Sequence, residues 1–153
     1  MAVSVADIIT CLDEIAPFAV AESWDNVGLL IGERNRAVNS ILVALDPTCQ
    51  LLDEALQHGA DTVLTHHPVI FKPLLTINTA DPTGNFLEKA LSARLTVLAC
   101  HTNLDSAERG VNDILAQRLG LIDLTPLIPA ARSPAKSMRE HAEGAGMPPL
   151  LSH

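Results

Sequence analysis

Leu64-Thr65-His66-His67-Pro68 is the stretch on which the fold turns. The run ahead of it, Asp61-Thr62-Val63-Leu64, reads as a buried strand, and that strand stops on two adjacent histidines. Pro68 has no N–H to give to a strand ladder and biases His67 toward an extended backbone. Two imidazoles are thus delivered at a strand end. A second apolar run, Leu95-Thr96-Val97-Leu98-Ala99-Cys100, arrives in the same way at His101-Thr102-Asn103-Leu104-Asp105.

Between the two runs, Asn85 to Arg94 has helical spacing, with Phe86, Ala90 and Leu91 expected to face inward. Parallel strands joined by one helix cross over right-handedly, so both strands end on one edge of the sheet. Open α/β sheets build their sites at that edge. A third run, Ser40 to Leu45, is apolar throughout, as in a strand buried on both faces. It would bring Asp46 to the same edge.

Further out, Ser4 to Ile15 reads as a helix with Ser4 as N-cap, Asp7 three residues on, and an apolar stripe of Ile8, Leu12 and Ile15. Val27 to Gly32 reads as a strand, and Trp24, the only Trp, is expected to plug the core. Leu51 to His58 is a helix closed by Gly59. Val111 to Leu119 is another, with Val111, Ile114, Leu115 and Leu119 as its expected core face. Leu121 to Ile128 reads as one more strand, broken by Pro126. This alternation implies an α/β fold: a sheet with several parallel strands and helices on both faces. Residues 1–128 would form one metal-binding α/β domain. Residues 129–153, rich in Pro, Ala, Ser and Gly, are expected to be a poorly ordered tail.

Composition narrows the function. Apolar residues make up 48% of the 153, enough for a core, but aromatics only 3%. The formal net charge is −8. Both facts argue against a nucleic-acid partner, which calls for clustered Lys and Arg and stacking rings. Cys11, Cys49 and Cys100 form no CxxC pair and read as reduced thiols. No apolar run approaches the roughly 20 residues that span a bilayer, and the N-terminus lacks a basic leader, so a cytoplasmic location and no membrane partner are expected.

The chemistry falls on His66, His67, His101 and Asp105. Successive side chains on a strand face opposite ways, so His66 and His67 converge only if the strand is ending. Alternatively each serves its own ion. Two ions about 3.5–4 Å apart need a bridging ligand, and the Asp105 carboxylate suits that role. Imidazole and carboxylate without thiolate favour Zn, Fe, Mn, Co or Ni. His101 is open between a ligand, a partner that orients Asp105, and a general acid/base. Thr102 and Asn103 read as turn formers. Cys100 is expected to point to the other face. No Gly-rich phosphate loop or GxSxG elbow offers a rival chemistry.

Four blocks then carry a resemblance. They are Glu22-Ser23-Trp24-Asp25-Asn26-Val27-Gly28-Leu29, Ile41-Leu42-Val43-Ala44-Leu45-Asp46, Thr65-His66-His67-Pro68-Val69-Ile70-Phe71-Lys72-Pro73, and His101-Thr102-Asn103-Leu104-Asp105 followed by Gly110-Val111-Asn112. Together they resemble the N-terminal half of the Nif-three-like family of dinuclear metal proteins, many labelled GTP cyclohydrolase I type 2 homologs. The resemblance covers roughly residues 4 to 128. It implies two divalent ions per site and a ring-shaped hexamer, with His66, His67 and Asp105 as metal ligands and His101 beside them. The family completes its site with a later histidine followed four residues on by a glutamate. Here the residue four past His141 is Ala145, and His153 ends the sequence, so half a metal site is expected. The implied function is a metal-dependent hydrolase of the GTP cyclohydrolase-like kind, or its remnant, acting on a small-molecule substrate that the residues do not identify. The alternative is a non-catalytic metal-binding homo-oligomer that works through protein partners.

Overall fold

The computed structural model describes residues 2–126. Four strands, β1 Gly28–Ile31, β2 Ile41–Ala44, β3 Thr62–Thr65 and β4 Thr96–Ala99, form one sheet in the order β1-β4-β3-β2. β2, β3 and β4 are parallel, whereas β1 runs antiparallel to β4. The helices are α1 Val5–Ile15, α2 Cys49–Gln57, α3 Pro82–Ser92, the single-turn α4 Thr102–Ser106, and α5 Val111–Arg118.

Strand alternation splits the core in two. Val63 and Val97 point to one face, where Leu51, Leu52 and Ala55 of α2 and Phe86, Leu87 and Ala90 of α3 cover them. Leu64 and Leu98 point to the other, under Val5 and Ile9 of α1. Helices therefore lie on both faces, as the alternation of elements implies. Local signals set the helix starts. Ser4 Oγ accepts from the Asp7 amide at 3.2 Å while Asp7 Oδ2 accepts from the Ser4 amide at 2.8 Å, a complete capping box. Thr48 Oγ1 accepts from the Leu51 amide at 3.1 Å to start α2. Pro82 opens α3, earlier than the apolar pattern suggests, because its fixed φ suits the first helical position.

Several expectations change. β2 is an edge strand, not one buried on both faces: Val43 is 68% exposed, because α1 rests on Leu29, Leu64 and Leu98 of the other strands. In α1 the buried positions are Val5 and Ile9, and Ile15 is exposed. In α3 Leu87 turns inward and Leu91 outward. Trp24 does not plug the core; it is exposed. The expected core face of α5 is turned to solvent: Val111, Ile114, Leu115 and Leu119 are all exposed, and Ala116 is the residue that packs inward. Periodicity identifies the residues that share a helix face, not the direction of that face. Residues 121–126 form no strand; Asp123 has φ of 55°, in the left-handed region, which breaks an extended path. The expected tail, residues 129–153, lies outside the described residues. Among those residues no helix is long and apolar enough to cross a membrane.

Candidate metal centre

The parallel register brings Ala44, Thr65 and Ala99 side by side at the C-terminal ends of β2, β3 and β4. The residues that follow share one edge: Asp46, His66 with His67, and His101. β3 stops at Thr65, whose buried hydroxyl donates to the His67 carbonyl at 2.8 Å and bends the chain. The strict alternation that would separate adjacent side chains ends there. The His66 and His67 ring centroids are 4.9 Å apart, and the His101 ring lies 5.2 Å from the first and 5.5 Å from the second. One potential ligand atom from each of the three histidines lies within 4.8 Å of the others.

Each ring is held by its Nδ1. His66 Nδ1 donates to the Cys100 carbonyl at 2.9 Å, His67 Nδ1 to Asp46 Oδ1 at 2.6 Å, and His101 Nδ1 to Asp25 Oδ1 at 2.9 Å. A carbonyl or carboxylate oxygen cannot donate, so the proton sits on Nδ1. In the neutral rings Nε2 is left with a bare lone pair. Histidines that bind metal show this arrangement, one nitrogen fixed by an oxygen and the other turned to the ion. Two nitrogens on one zinc are at most about 4.2 Å apart. The observed spread is one that a single ion closes with a small movement, or that two neighbouring ions span. The donor set therefore fits a divalent cation.

Asp105 lies on α4, with Oδ1 3.7 Å from His66 Nε2. It is on the same rim as the histidines but outside the group of three. The side chains of His66 and His101 are each 17% exposed, whereas that of His67 is 45% exposed and faces the open side.

Asp25 is the residue whose part the spacing of the sequence does not reveal. Because β1 is antiparallel, Gly28 pairs with Ala99, and the chain just before β1 lands on the same edge as the ends of the parallel strands. The Asp25 side chain is fully buried. Burial pushes its carboxyl pKa up, but bonds from His101, from the Thr102 hydroxyl and amide and from the Asn26 amide outweigh this and hold it below the usual carboxylate value. Asp25 thus remains an anion under the His101 ring. Thr102 and Asn103 are more than turn formers. Thr102 donates both its hydroxyl and its amide to Asp25, and the buried Asn103 side chain donates to the Ala16 carbonyl at 2.8 Å. Cys100 is buried, its carbonyl holds the His66 ring, and burial pushes its thiol pKa up.

The chain is similar to known proteins over most of its length. The Duf34/NIF3 (NGG1p interacting factor 3) family matches residues 3–147. A "GTP cyclohydrolase 1 type 2 homolog" of Halalkalibacterium halodurans is 43% identical over 122 residues, covering 80% of this chain and 33% of that protein. A crystal structure of a Bacillus cereus protein related to NIF3 superposes with a TM-score of 0.79 at 39% identity, covering 85% of this chain and 36% of the other. Reduced HcgD from Methanocaldococcus jannaschii gives a TM-score of 0.78 at 27% identity over 86% of this chain and 52% of the other. The chain spans about a third of the length of the curated relatives it matches.

Proposed function

This chain belongs to the Duf34/NIF3 family, and on that premise we propose that it is a divalent-metal-binding protein with the residues of a metal-dependent hydrolase. The observation that carries the reading is that the His66, His67 and His101 rings, each held through Nδ1 by an oxygen acceptor, bring one potential ligand atom apiece within 4.8 Å of one another, so that two of them can hold an ion beside the third. His66 and His67 would hold the metal, and Asp105, whose Oδ1 already lies 3.7 Å from His66 Nε2, would join them. A divalent ion there supplies Lewis acidity and brings the pKa of water toward neutrality. His101 moves a proton at Nε2. Its Nδ1–H points at the ionised Asp25, which stabilises the imidazolium formed when Nε2 is protonated. A homo-oligomer of the hexameric kind and a cytoplasmic location complete the proposal; two ions per site are what the full-length family implies, and this chain carries half of that ligand set. The relatives' shared name makes hydrolysis of a nucleotide ring the first activity to assay.

Metal analysis of protein purified without chelators tests this. Bound Zn, Fe or Mn near stoichiometry is expected, with loss in His66→Ala and retention in His101→Gln, whose turnover of GTP or related ring compounds should fall. Metal-free protein, or metal content indifferent to His66→Ala, would refute the reading.

One observation favours a second reading, a non-catalytic metal-binding oligomer. The outward apolar stripe of α5 is a surface built for contact. Metal lost in His66→Ala with assembly intact, and no hydrolysis of any ring compound, would select it.

A further inference from the structure

Trp24 and Phe71 stand beside the histidines and hold no part in that cluster. Their ring centroids are 5.6 Å apart and their planes are tilted by 60°. Phe71 lies 6.2 Å from the His101 ring, edge to face. Trp24 is 57% exposed and Phe71 43%. Both leave in water the kind of ring that contributes most when covered. The pair is nonetheless held in position. Asn26 Nδ2 donates to the Ile70 carbonyl at 2.6 Å, tying the Trp24 loop to the Phe71 loop. The Glu22 amide donates to Thr102 Oγ1 at 3.0 Å, and Asp25 accepts from the Thr102 amide, also at 3.0 Å, so the Trp24 loop is anchored to α4 from both sides. A frame of polar bonds thus fixes two exposed aromatic faces at the mouth of the metal-binding edge.

We propose that Trp24 and Phe71 form a stacking subsite for a purine ring, placing the purine of a small nucleoside or nucleotide against the histidine cluster. At 5.6 Å the two rings already touch, so a flat ring would stack on the exposed face of one with its edge toward the other, the two arrangements such rings prefer. A mononucleoside fits better than a polynucleotide, because the net charge of −8 opposes a phosphate backbone. The inference rests on the metal-site reading for what happens to the ligand, while stacking itself needs no ion.

Trp24 is the only tryptophan, so its emission reports on this site alone. The experiment titrates the purified chain with guanosine, and with ribose as the ring-free control, with and without added Zn²⁺. Saturable quenching by guanosine and none by ribose is expected in both conditions. Phe71→Ala should weaken the apparent affinity roughly tenfold, the scale of one lost stacking face. Phe71→Tyr should restore it, which separates a lost π-face from a damaged fold. Absence of saturable guanosine quenching, equal quenching by ribose, or unchanged affinity in Phe71→Ala would overturn the inference. So would an emission that tracks protein concentration and ignores purine, which would make the pair an interface. Measuring Zn²⁺ binding beside the quenching separates the two readings. Quenching kept while Zn²⁺ binding is absent even in the unsubstituted chain defeats the metal site only, and Zn²⁺ bound without quenching defeats the stacking subsite only.

Discussion

At the scale of the residue, the cluster depends on which nitrogen of each imidazole is engaged and by what. The three acceptors differ in burial. Asp46, on His67, has a side chain 58% exposed, whereas Asp25, on His101, is fully buried. Removing them should therefore have different effects. Asp46→Ala is expected to cost about tenfold in zinc affinity through loss of ring orientation, with stability changed by no more than about 0.5 kcal/mol. Asp25→Asn keeps the shape but removes the anion and offers N–H groups where only acceptors fit. It should lower thermal stability as well as His101-dependent turnover, since buried partners are left unmatched. Competition titration against a zinc chelator, run beside thermal unfolding, reads both effects. A large drop in stability in Asp46→Ala, or none in Asp25→Asn, would contradict the assignment. His66, His67, His101 and Asp105 are visible in the sequence because histidines and a carboxylate closing apolar runs stand out. Asp25 is not, because its place depends on the direction of a strand that no local pattern encodes.

At the scale of the element, two joints fix the pieces around the sheet, one at each end of its strands. The first is the turn before α5. A Cβ on Gly110 would come within 2.0 Å of the Leu104 carbonyl oxygen, so the α4 turn that carries Asp105 would have to move. Gly110→Ala is expected to destabilise by about 1–3 kcal/mol, as overpacked sites do, and to lower metal affinity together with stability; urea unfolding and zinc titration would show both. The second joint links the N-terminal ends of β2 and β3. Asp61 Oδ2 accepts from the Asn39 amide and side chain, each at 2.9 Å, and Oδ1 accepts from Thr62 Oγ1 at 3.0 Å. Burial raises the Asp61 pKa, but these bonds outweigh it and hold the carboxyl below its ordinary value of 3.8. The folded state thus binds the proton less readily than the unfolded chain. The stabilisation is complete above pH 3.8 and is lost as pH falls through the lower folded value. Asp61→Asn should flatten that acid limb, with a cost on the order of 1 kcal/mol at neutral pH; parallel acid titrations by circular dichroism test it. Helices α1, α2 and α3 are legible in the sequence through their apolar spacing, and α1 also through Ser4, whereas the true starts at Thr48 and Pro82 lie ahead of the apolar pattern. Which way a stripe faces is not, since Leu91 and the α5 leucines obey the period and still point outward.

At the scale of the molecule, the parallel order of β2, β3 and β4 follows from apolar runs separated by helices, and with it the shared edge that carries the histidines. The antiparallel β1 does not follow, because pairing direction is set by partners far away in the chain. Nor does a helix turned inside out. Val111, Ile114, Leu115 and Leu119, with Leu121, Ile122 and Leu124 just beyond, are each between 42% and 82% exposed. By ordinary residue areas they present on the order of 700 Å² of apolar surface, close to the roughly 800 Å² that each partner contributes to a standard interface. Asp113 and Arg118 give this surface both signs of charge, so two copies can meet without like-charge repulsion. The proposed homo-oligomer would place a second copy of the chain on this surface. Analytical ultracentrifugation at micromolar concentrations should then give a mass above the 16.3 kDa of one chain. Replacing Ile114 and Leu115 together by Glu should return the monomer, with thermal unfolding of the isolated subunit unchanged, because both side chains already stand in solvent. A wild-type monomer across that range, or a double variant that associates as before, would show that this face is not where copies meet.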